Sequence, residues 1–337
     1  MRWFVNKPHD NGGLYYRHTL PLRHLMPHLR DAGIRVTYSR TIDMTVDYDA
    51  YFFSRWIKAE YLPLLVEIKR RGKLLAWDLD DDLFSLERVE PRHHNKRAML
   101  IRALELCLDM ADVITVSTEP LNLCTRRPDK TIVLPNLIDM RDHPIESRHY
   151  GTGGPATVLY AGSRSHEHDI ELIRSLHHRT QRHFQWVFYG IRPDWISTRD
   201  VWMPWCRGCD YPRVLRLIRP LVSMAPLMPD RFNASKSPIK IWETAAAGAS
   251  VIASNYGPYA GSMAAIAAAG EAFNFHHLER VLAVPSHDAC VAEACANSWQ
   301  WSKTGHAQWL AAFMHIASLC SGRTHAHADQ LSCTPAA

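Results

Sequence analysis

The stretch Arg231–Tyr259 has the sequence RFNASKSPIKIWETAAAGASVIASNYGPY and predicts a helix that leads into a short buried strand. Ser237 is a suitable cap for this helix and Pro238 suits its first position, while Gly248 is a fitting C-terminal stop. The apolar run Ser250–Ser254 has the length and composition of a strand. A helix followed directly by an apolar strand is the repeating element of α/β folds with parallel sheets.

Two charged residues frame the start of this helix. Lys236 lies just before the helix N-terminus, where free backbone N–H groups and the helix dipole favour an anion. Glu243 lies about two turns further along. A lysine that holds a diphosphate and a carboxylate that accepts hydrogen bonds from ribose hydroxyls would have about this separation. The alternative is a solvated lysine and a surface glutamate.

Along the rest of the chain, short apolar runs alternate with longer helical patterns, which indicates βαβ units and mainly parallel sheets. The 337 residues suit two domains of about 150 residues each. The polar segment Arg141–Pro155 interrupts the alternation and has the composition of a linker. We therefore predict Rossmann-like domains at residues 1–148 and 149–305. A helix at 306–320, free to cross back to the first domain, and a disordered tail at 321–337 would complete the chain.

The composition favours a globular protein with an anionic ligand. The formal net charge is +5 with 20 histidines in addition, which suits a nucleotide diphosphate and is also compatible with an anionic acceptor or surface. No run reaches the roughly 18 apolar residues of a membrane span, and the first residues lack the apolar core of a signal peptide. The eight cysteines have no disulfide-framework spacing, which indicates reduced thiols. We expect a cytoplasmic protein.

The segment around Lys236 resembles a known family. Its pattern F-N-x-x-K-S-x-x-K-x-x-E-x-x-A-x-G-x-x-V-I-A-S is similar to the sugar-nucleotide motif of retaining family-4-like glycosyltransferases of the GT-B fold. Many members carry two glutamates separated by seven residues. Glu243 matches the second, which binds ribose in the family, whereas Ser235 stands at the place of the first. The sequence Ser235-Lys236-Ser237 instead resembles a bacterial and phage subgroup with a K-S pair there. The resemblance implies two Rossmann-like domains that face each other across a cleft.

A second segment resembles the opening of the donor domain in the same family. Val158–His166 has the sequence VLYAGSRSH, a strand that runs into a glycine-containing turn. In the family such a turn and a basic residue approach the diphosphate, which implies this place for Gly162, Ser163 and Arg164. His166 could reach a phosphate or the donor sugar, and its alternative role is that of a polar loop residue.

Two groups of residues have the chemistry of metal ligands. His166, His168 and Asp169 are closely spaced but have no further ligand nearby in the sequence, and a helix cap is the alternative for them. Cys206 and Cys209 form a single CxxC without a second pair, so two thiols are favoured over a zinc site. We predict no metal at either place.

The first half carries weaker matches to the same family. Gly12 and Gly13 follow the first predicted strand and open a helix, and two glycines let a backbone approach a ligand closely. In the family a Gly-Gly turn at this place faces the transferred sugar and its phosphate. The segments Ala111–Thr118 and Val133–Asp139 resemble the last two strands of the acceptor domain.

An acidic run follows another predicted strand. The sequence Trp77-Asp78-Leu79-Asp80-Asp81-Asp82 places four carboxylates within five residues. One interpretation is a divalent-metal site, because hard cations bind carboxylate oxygens. A second is a loop in which one carboxylate accepts a proton or hydrogen bond from an acceptor hydroxyl. The GT-B resemblance favours the second, and a structural role in capping the next helix is the third.

The motifs and the resemblance predict a nucleotide-sugar-dependent hexosyl- or pentosyltransferase that transfers sugar from a nucleoside-diphosphate sugar to an acceptor hydroxyl with retention. The resemblance implies catalytic roles for Asp78, Asp80 and His166. It implies donor binding by Gly12, Gly13, Gly162, Ser163, Arg164, Lys236, Ser237 and Glu243. Basic residues and the helix N-terminus would offset the charge on the departing diphosphate. No cofactor is expected besides the sugar nucleotide as co-substrate, and no metal is expected to be essential.

The acceptor and two other functions stay open. The subgroup resemblance fits a cell-surface glycan as acceptor and also fits a phage-type enzyme that glycosylates hydroxylated DNA bases. The basic stretches Arg92–Arg97 and Arg213–Arg219 suit a nucleic acid or a peripheral membrane contact, but they are equally typical of solvated helix faces. A same-fold sugar-nucleotide epimerase and a non-catalytic sugar-nucleotide- or glycan-binding module are the alternatives.

Overall fold

The computed structural model describes residues 1–7, 12–55, 61–85, 97–147, 155–262, 264–283 and 287–332. These residues divide into two compact units. One is drawn from Met1–Leu86, Arg92–Pro135 and Thr304–Ala337, and the other from Asn136–Lys303. Within the predicted linker, residues 148–154 lie outside the described residues, and the domain boundary at 148/149 stays a prediction.

The first unit is built on a parallel sheet. Its six described strands have the order β2-β1-β3-β4-β5-β6. They are β1 (Arg2–Asn6), β2 (Arg35–Ser39), β3 (Ala50–Ser54), β4 (Leu74–Leu79), β5 (Val113–Val116) and β6 (Thr131–Val133). Strands β3, β4 and β5 are buried along their whole length, as expected for interior strands of a parallel sheet, which are covered on both faces. The edge strand β2 has no buried residue.

Helices connect these strands. The first, α1, comprises Gly12–Leu14, a π-helical turn at Tyr15–Thr19, and Leu20–Asp31. In the π-helical turn the Leu20 N–H donates to the Tyr15 carbonyl five residues earlier, which adds one residue to the helical turn. The other helices between the strands are α2 (Leu62–Arg70), α3 (Arg97–Met110) and α4 (Glu119–Thr125), with a 3₁₀ turn at Pro128–Lys130.

The second unit contains another parallel sheet. Its six described strands have the order β12-β11-β10-β7-β8-β9. They are β7 (Thr157–Gly162), β8 (Gln185–Gly190), β9 (Val201–Met203), β10 (Val222–Ala225), β11 (Ser250–Ser254) and β12 (Ala265–Ala267). The short apolar runs Thr157–Ala161, Gln185–Tyr189, Leu221–Ala225 and Ser250–Ser254 predict strands in the sequence, and they correspond to β7, β8, β10 and β11 at the centre of this sheet. The sequence did not predict β9 and β12, which are three-residue strands at the two edges.

The helices of the second unit follow the predicted alternation. They are α5 (Arg174–Thr180), α6 (Tyr211–Ile218), α7 (Arg231–Ala234), α8 (Ile239–Ala246), α9 (Phe275–Ala283) and α10 (His287–Ala296). Short 3₁₀ segments lie at Arg164–His166, Asp169–Ile173 and Gly257–Tyr259. Gly248 follows the end of α8 with φ of 89°, a left-handed conformation that glycine adopts without strain, so the predicted helix stop is confirmed.

The last helix, α11 (Lys303–Ser332), packs on the first unit. The Phe313 ring stacks on Phe52 with 5.8 Å between centroids and lies 5.9 Å from Trp3. The indole N–H of Trp309 donates to the Pro135 carbonyl at 2.9 Å. This helix continues past residue 320, where the sequence predicted its end, and residues 333–337 lie outside the described residues.

The predicted α/β fold with two parallel sheets is confirmed. All strand pairs in both sheets are parallel in the described residues, as the alternation of strands and helices indicates. Within the same residues, no helix combines the length and the apolarity needed to cross a bilayer.

We expect the Phe313→Ala substitution to lower the free energy of unfolding by about 3–5 kcal/mol, because a large ring is removed from a packed aromatic cluster. The adjacent Met314 provides a control, since it is 40% exposed while Phe313 is 7% exposed. Met314→Ala should change stability by less than about 0.5 kcal/mol. Urea denaturation measures both, and equal losses would show that α11 does not stabilise the first unit.

Candidate functional site

Each unit gathers its candidate residues at the carboxyl end of its own sheet. In the first unit, Gly12 and Gly13 follow β1, Arg55 follows β3, and the acidic run spans the end of β4. In the second unit, Gly162 ends β7, and the segment that contains Lys236 follows β10. Because the strands are parallel, these ends lie at one edge of each sheet, which is the edge where α/β proteins bind ligands.

The carboxylate of Asp169 holds the loops of the second unit together. This residue is fully buried. Its Oδ2 accepts a hydrogen bond from His166 Nδ1 at 2.7 Å, and its Oδ1 accepts from the Met228 backbone N–H at 2.9 Å and from Asn233 Nδ2 at 2.8 Å. The three donors belong to the loop after β7, the loop after β10 and helix α7. Charge-assisted hydrogen bonds to one buried carboxylate therefore fix the positions of three segments.

His166 is a neutral imidazole with a defined tautomer. Burial, followed by the positive charges of Lys240 and Lys236, lowers its pKa to about 3, although Asp169 acts in the opposite direction. Because Nδ1 lies 2.7 Å from a carboxylate oxygen, the ring proton is on Nδ1 and Nε2 carries a lone pair. Nε2 is therefore a hydrogen-bond acceptor. Of the two ligands predicted for His166, a sugar hydroxyl fits this acceptor and a phosphate oxygen does not.

The segment before α8 differs in one detail from the prediction. Helix α8 begins one residue later than expected with Pro238 as its N-cap residue, so the prediction that Ser237 caps it is wrong. The Ser237 hydroxyl instead accepts a hydrogen bond from Asn136 Nδ2 at 2.9 Å. Lys236 precedes the helix N-terminus as predicted, and its Nζ lies 4.2 Å from the centroid of the Phe232 ring. The lysine thus remains beside backbone N–H groups that favour an anion.

Glu243 lies on α8 and is buried, so it is not the surface glutamate that the sequence left as an alternative. Burial raises the pKa of the Tyr211 hydroxyl well above its ordinary value, and the negative charge of Glu243 raises it further. The pKa of Tyr259 is also raised, first by burial and then by Asp169 and Glu243. A buried carboxylate in such surroundings gains from hydrogen bonds that a ligand's hydroxyl groups donate.

The turn after β7 requires glycine at its first position. A Cβ atom on Gly162 would lie 2.6 Å from the hydroxyl oxygen of Tyr160. The hydroxyls of Ser163 and Ser165 lie 2.9 Å apart, and Arg164 between them is exposed. The structure therefore places the predicted basic residue on an accessible turn beside the Asp169 network.

In the first unit, Asp78 is committed to a buried ion pair. Arg17 donates from Nη2 to Asp78 Oδ1 at 2.7 Å and from Nε to both carboxylate oxygens at 3.1 and 3.2 Å. Thr115 also donates to Oδ1, at 2.6 Å. The guanidinium of Arg17 reaches further, to the Leu134 carbonyl and to the Trp309 ring, whose centroid is 4.8 Å away. Asp78 therefore positions parts of the first unit, and this geometry gives no support to its predicted contact with a substrate.

Asp80 has a different environment. Arg55 Nη1 donates to its two oxygens at 3.0 and 3.2 Å and lies 3.3 Å from Asp81 Oδ2. Burial raises the pKa of Asp80, Arg55 lowers it, and the neighbouring carboxylates of Asp81 and Asp78 raise it again, with a net shift upward. Oδ2 of Asp80 also packs on Gly13, where a Cβ would lie 1.8 Å away. The Gly-Gly turn and the acidic run, predicted from separate motifs, thus meet in the structure.

Asp82 has its own structural partners. It is buried, its Oδ1 accepts from the Phe84 N–H at 3.1 Å, and its Oδ2 accepts from the Ser85 hydroxyl at 2.8 Å. In the described ranges, no group of three or more His, Cys, Asp or Glu side chains is arranged to hold a metal ion. Cys206 and Cys209 are free thiols. The dispensability of metal for activity stays a prediction.

Three residues that organise these sites were not recognisable from the sequence. Arg17, Arg55 and Asp169 were not assigned roles of this kind, because their partners lie far along the chain. Arg17 is separated from Asp78 by 61 residues, and Asp169 from Asn233 by 64 residues. The available signal was indirect. An arginine in an otherwise apolar helix start, such as Arg17, requires a buried acceptor, but its identity follows only from the fold.

Comparison with known proteins identifies the fold. No protein-family model matches the sequence, and no curated protein matches it. Solved structures match over nearly the whole chain. HepE from Anabaena in complex with UDP-glucose is 10% identical with a TM-score of 0.54, over 98% of this chain and 100% of that one. The sucrose-phosphate synthase from Thermosynechococcus elongatus is 13% identical with a TM-score of 0.56, over 99% and 100% of the two chains.

A third similar structure is an alpha-glucosyltransferase in complex with UDP-glucose and DNA containing an abasic site. It is 10% identical with a TM-score of 0.58, over 89% of this chain and 94% of that one. The chain has the two-domain α/β GT-B fold, as the sequence predicted. Identities this low establish the fold and leave the reaction to be argued from the site.

We expect Gly13→Ala to destabilise the protein by about 1–3 kcal/mol, because the added Cβ forces the acidic loop to move. Gly12→Ala is the matched control, since a Cβ there has no atom within 4 Å among the described residues beyond its chain neighbours and the local helix backbone. Chemical denaturation compares the two variants. If the contact with Asp80 is the cause, Asp80→Ala in the Gly13→Ala background should restore most of the loss. A loss that persists in the double variant would contradict the explanation.

Proposed function

We propose that this protein is a glycosyltransferase that transfers a sugar from a nucleoside-diphosphate sugar to an acceptor hydroxyl with retention. The observation that carries the proposal is the Asp169 network. The network fixes a neutral His166, next to the exposed Arg164, and the segment with Lys236 that precedes α8. The buried Glu243 lies further along α8. The GT-B fold, which the chain shares with enzymes solved with UDP-glucose, supports the assignment.

In the proposed donor complex each group has one task. Lys236 and Arg164 contact the diphosphate, together with backbone N–H groups at the start of α8 and the turn at Gly162 and Ser163. Their positive charge is most effective when the sugar–phosphate bond breaks, because the departing diphosphate then gains negative charge. Glu243 accepts hydrogen bonds from the ribose hydroxyls.

His166 is assigned to the sugar. Its Nε2 lone pair accepts a hydrogen bond from a sugar hydroxyl, and its Nδ1–H is held by Asp169 at 2.7 Å. Because burial keeps the ring neutral, with a pKa of about 3, this acceptor persists over the whole physiological pH range. His166 thereby orients the sugar without adding positive charge next to the anomeric carbon.

On the acceptor side, the proposal assigns the active carboxylate to Asp80. Asp78 accepts hydrogen bonds from both the guanidinium of Arg17 and the Thr115 hydroxyl, whereas the two oxygens of Asp80 share one arginine nitrogen, Arg55 Nη1. Asp80 has a pKa raised mainly by burial, which makes its carboxylate a better proton acceptor, and it lies on the backbone of Gly13. Asp80 would accept the hydrogen bond of the acceptor hydroxyl.

The acceptor is proposed to be a cell-surface glycan, with a hydroxylated DNA base as the alternative. One similar structure contains DNA, but this is a property of that protein. Of the two basic stretches, residues 92–96 lie outside the described residues. In the other, Arg213, Arg216 and Arg219 are exposed, as on a solvated helix face, so they favour neither acceptor. A cytoplasmic location, peripheral membrane contact and the hexosyl or pentosyl nature of the sugar stay predictions.

Incubation with labelled sugar nucleotides separates the competing functions. Label transferred to a glycan or to DNA with hydroxymethylated bases identifies the acceptor. Free epimerised sugar formed without any acceptor would replace the proposal with the epimerase. Tight donor binding without turnover on a broad acceptor panel would replace it with a binding module.

Nucleoside diphosphates should stabilise the fold, by about 2.7 kcal/mol for a ligand at 100 times its dissociation constant. We expect Lys236→Ala to weaken the affinity for the best ligand about tenfold or more, because a charge-assisted phosphate contact is lost. Glu243→Gln should weaken nucleotide binding with an unchanged fold. Lys303→Ala is the control, as this lysine of the second unit is exposed. Calorimetric affinities equal to wild type in both site variants would reject the donor site.

Asp80→Asn should reduce turnover about 100-fold or more while the donor affinity changes less than about twofold, because a proton acceptor is lost and donor binding is assigned to the second unit. Steady-state kinetics and calorimetry measure the two quantities. Turnover should also persist in a strong chelator. If chelation abolished turnover and Asp80→Asn weakened donor binding, the acidic run would be a metal site that bridges to the donor.

A further inference from the structure

A lysine beside the proposed donor site, with a buried ammonium nitrogen, has no role so far. Lys240 is in the first turn of α8, and its Nζ is shielded from solvent. Among the described residues this ammonium has no hydrogen-bond partner. Its Nζ lies 5.6 Å from the centroid of the Tyr160 ring. An ammonium group that is shielded from solvent and has no hydrogen-bond acceptor destabilises the folded protein. A ligand that supplies an acceptor would remove this penalty.

The charged groups around Lys240 do not supply this acceptor. Asp169 and Glu243 act on it electrostatically, and Lys236 repels it. The oxygens of Asp169 are used by His166, Met228 and Asn233. The positive charges of Lys240 and Lys236 thus act on each other near the N-terminus of α8, and the carboxylates of Asp169 and Glu243 offset them without a hydrogen bond to the Lys240 ammonium.

We infer that the Lys240 ammonium binds the diphosphate of the donor, beside Lys236 at the N-terminus of α8. The inference rests on the proposed function and adds a specific phosphate ligand to it. A diphosphate carries enough negative charge to satisfy both lysines at once, and it removes their mutual repulsion.

Binding of a diphosphate beside Lys240 should be coupled to proton uptake by this lysine, which can be measured. The pKa of Lys240 is lowered to about 8, mainly by burial; Asp169 acts in the opposite direction, Lys236 adds to the lowering, and Glu243 opposes it. A diphosphate next to Nζ raises the pKa again. At pH 8.5 a lysine with a pKa of about 8 is about three-quarters neutral, so the protein takes up a proton when the ligand binds. His166 does not contribute, because its pKa of about 3 leaves it neutral before and after binding.

The experiment is calorimetric titration of the full chain with UDP, GDP, ADP and dTDP at pH 8.5, in buffers of different ionisation enthalpy. Wild type should take up about 0.7 proton per bound nucleotide. Lys240→Met should abolish this uptake and weaken binding about tenfold or more. The control Lys303→Met, at an exposed lysine, should leave both unchanged.

Methionine keeps the length of the apolar stem and removes the uncompensated charge, so Lys240→Met should unfold at the same or a higher urea concentration than wild type. Lys240→Arg provides a second test, since it keeps the charge but does not titrate, and it should bind without proton uptake. If a nucleotide binds wild type with no proton uptake, or binds Lys240→Met with wild-type affinity, the inference is wrong and the proposed function stands. If no nucleotide binds wild type, both are wrong.

Discussion

The buried carboxylate of Asp169 is the interaction on which the candidate donor site depends. A carboxylate removed from water is tolerated only when its oxygens are hydrogen-bonded, and here the donors come from a histidine ring, a backbone amide and an asparagine side chain. Met228 and Asn233 lie 59 and 64 residues from Asp169. The loops at the end of β7 and β10 and helix α7 are thus held in position before any ligand arrives. Binding then requires little reordering of the protein.

Each unit has a buried aspartate that holds several segments in position, but the charges of the groups that bind the two aspartates differ. Asp78 in the first unit is neutralised by Arg17, so the pair contributes rigidity and little net charge. Asp169 accepts hydrogen bonds from a neutral histidine, a backbone amide and an asparagine, and its negative charge acts on Lys240 and on His166. It therefore allows two lysines to stay close to each other in a shielded place. A site for a polyanion requires an excess of positive charge that nearby carboxylates neutralise only in part.

How much could be predicted from the sequence depended on whether a feature is local. Buried strands such as β7 and β11 are recognisable from short apolar runs, and Lys236 could be placed before a helix from Pro238 and the residues that follow. The edge strands β9 and β12 have three residues each, too few for a period to appear. The difference between Asp78 and Asp80 was also invisible, because it arises from arginines 61 and 25 residues away.

The contacts of α11 bear on the order in which the chain folds during synthesis. In the part of the chain that the structure describes, the second unit is the stretch Asn136–Lys303, whereas the first unit includes residues on both sides of that stretch. Trp3 and Phe52 are synthesised before the second unit, whereas their partner Phe313 is synthesised after it. Part of the apolar surface of the first unit's sheet therefore stays uncovered while the second unit is synthesised. Domains generally fold in order from the N-terminus during translation, and this topology reverses that order for the final packing step.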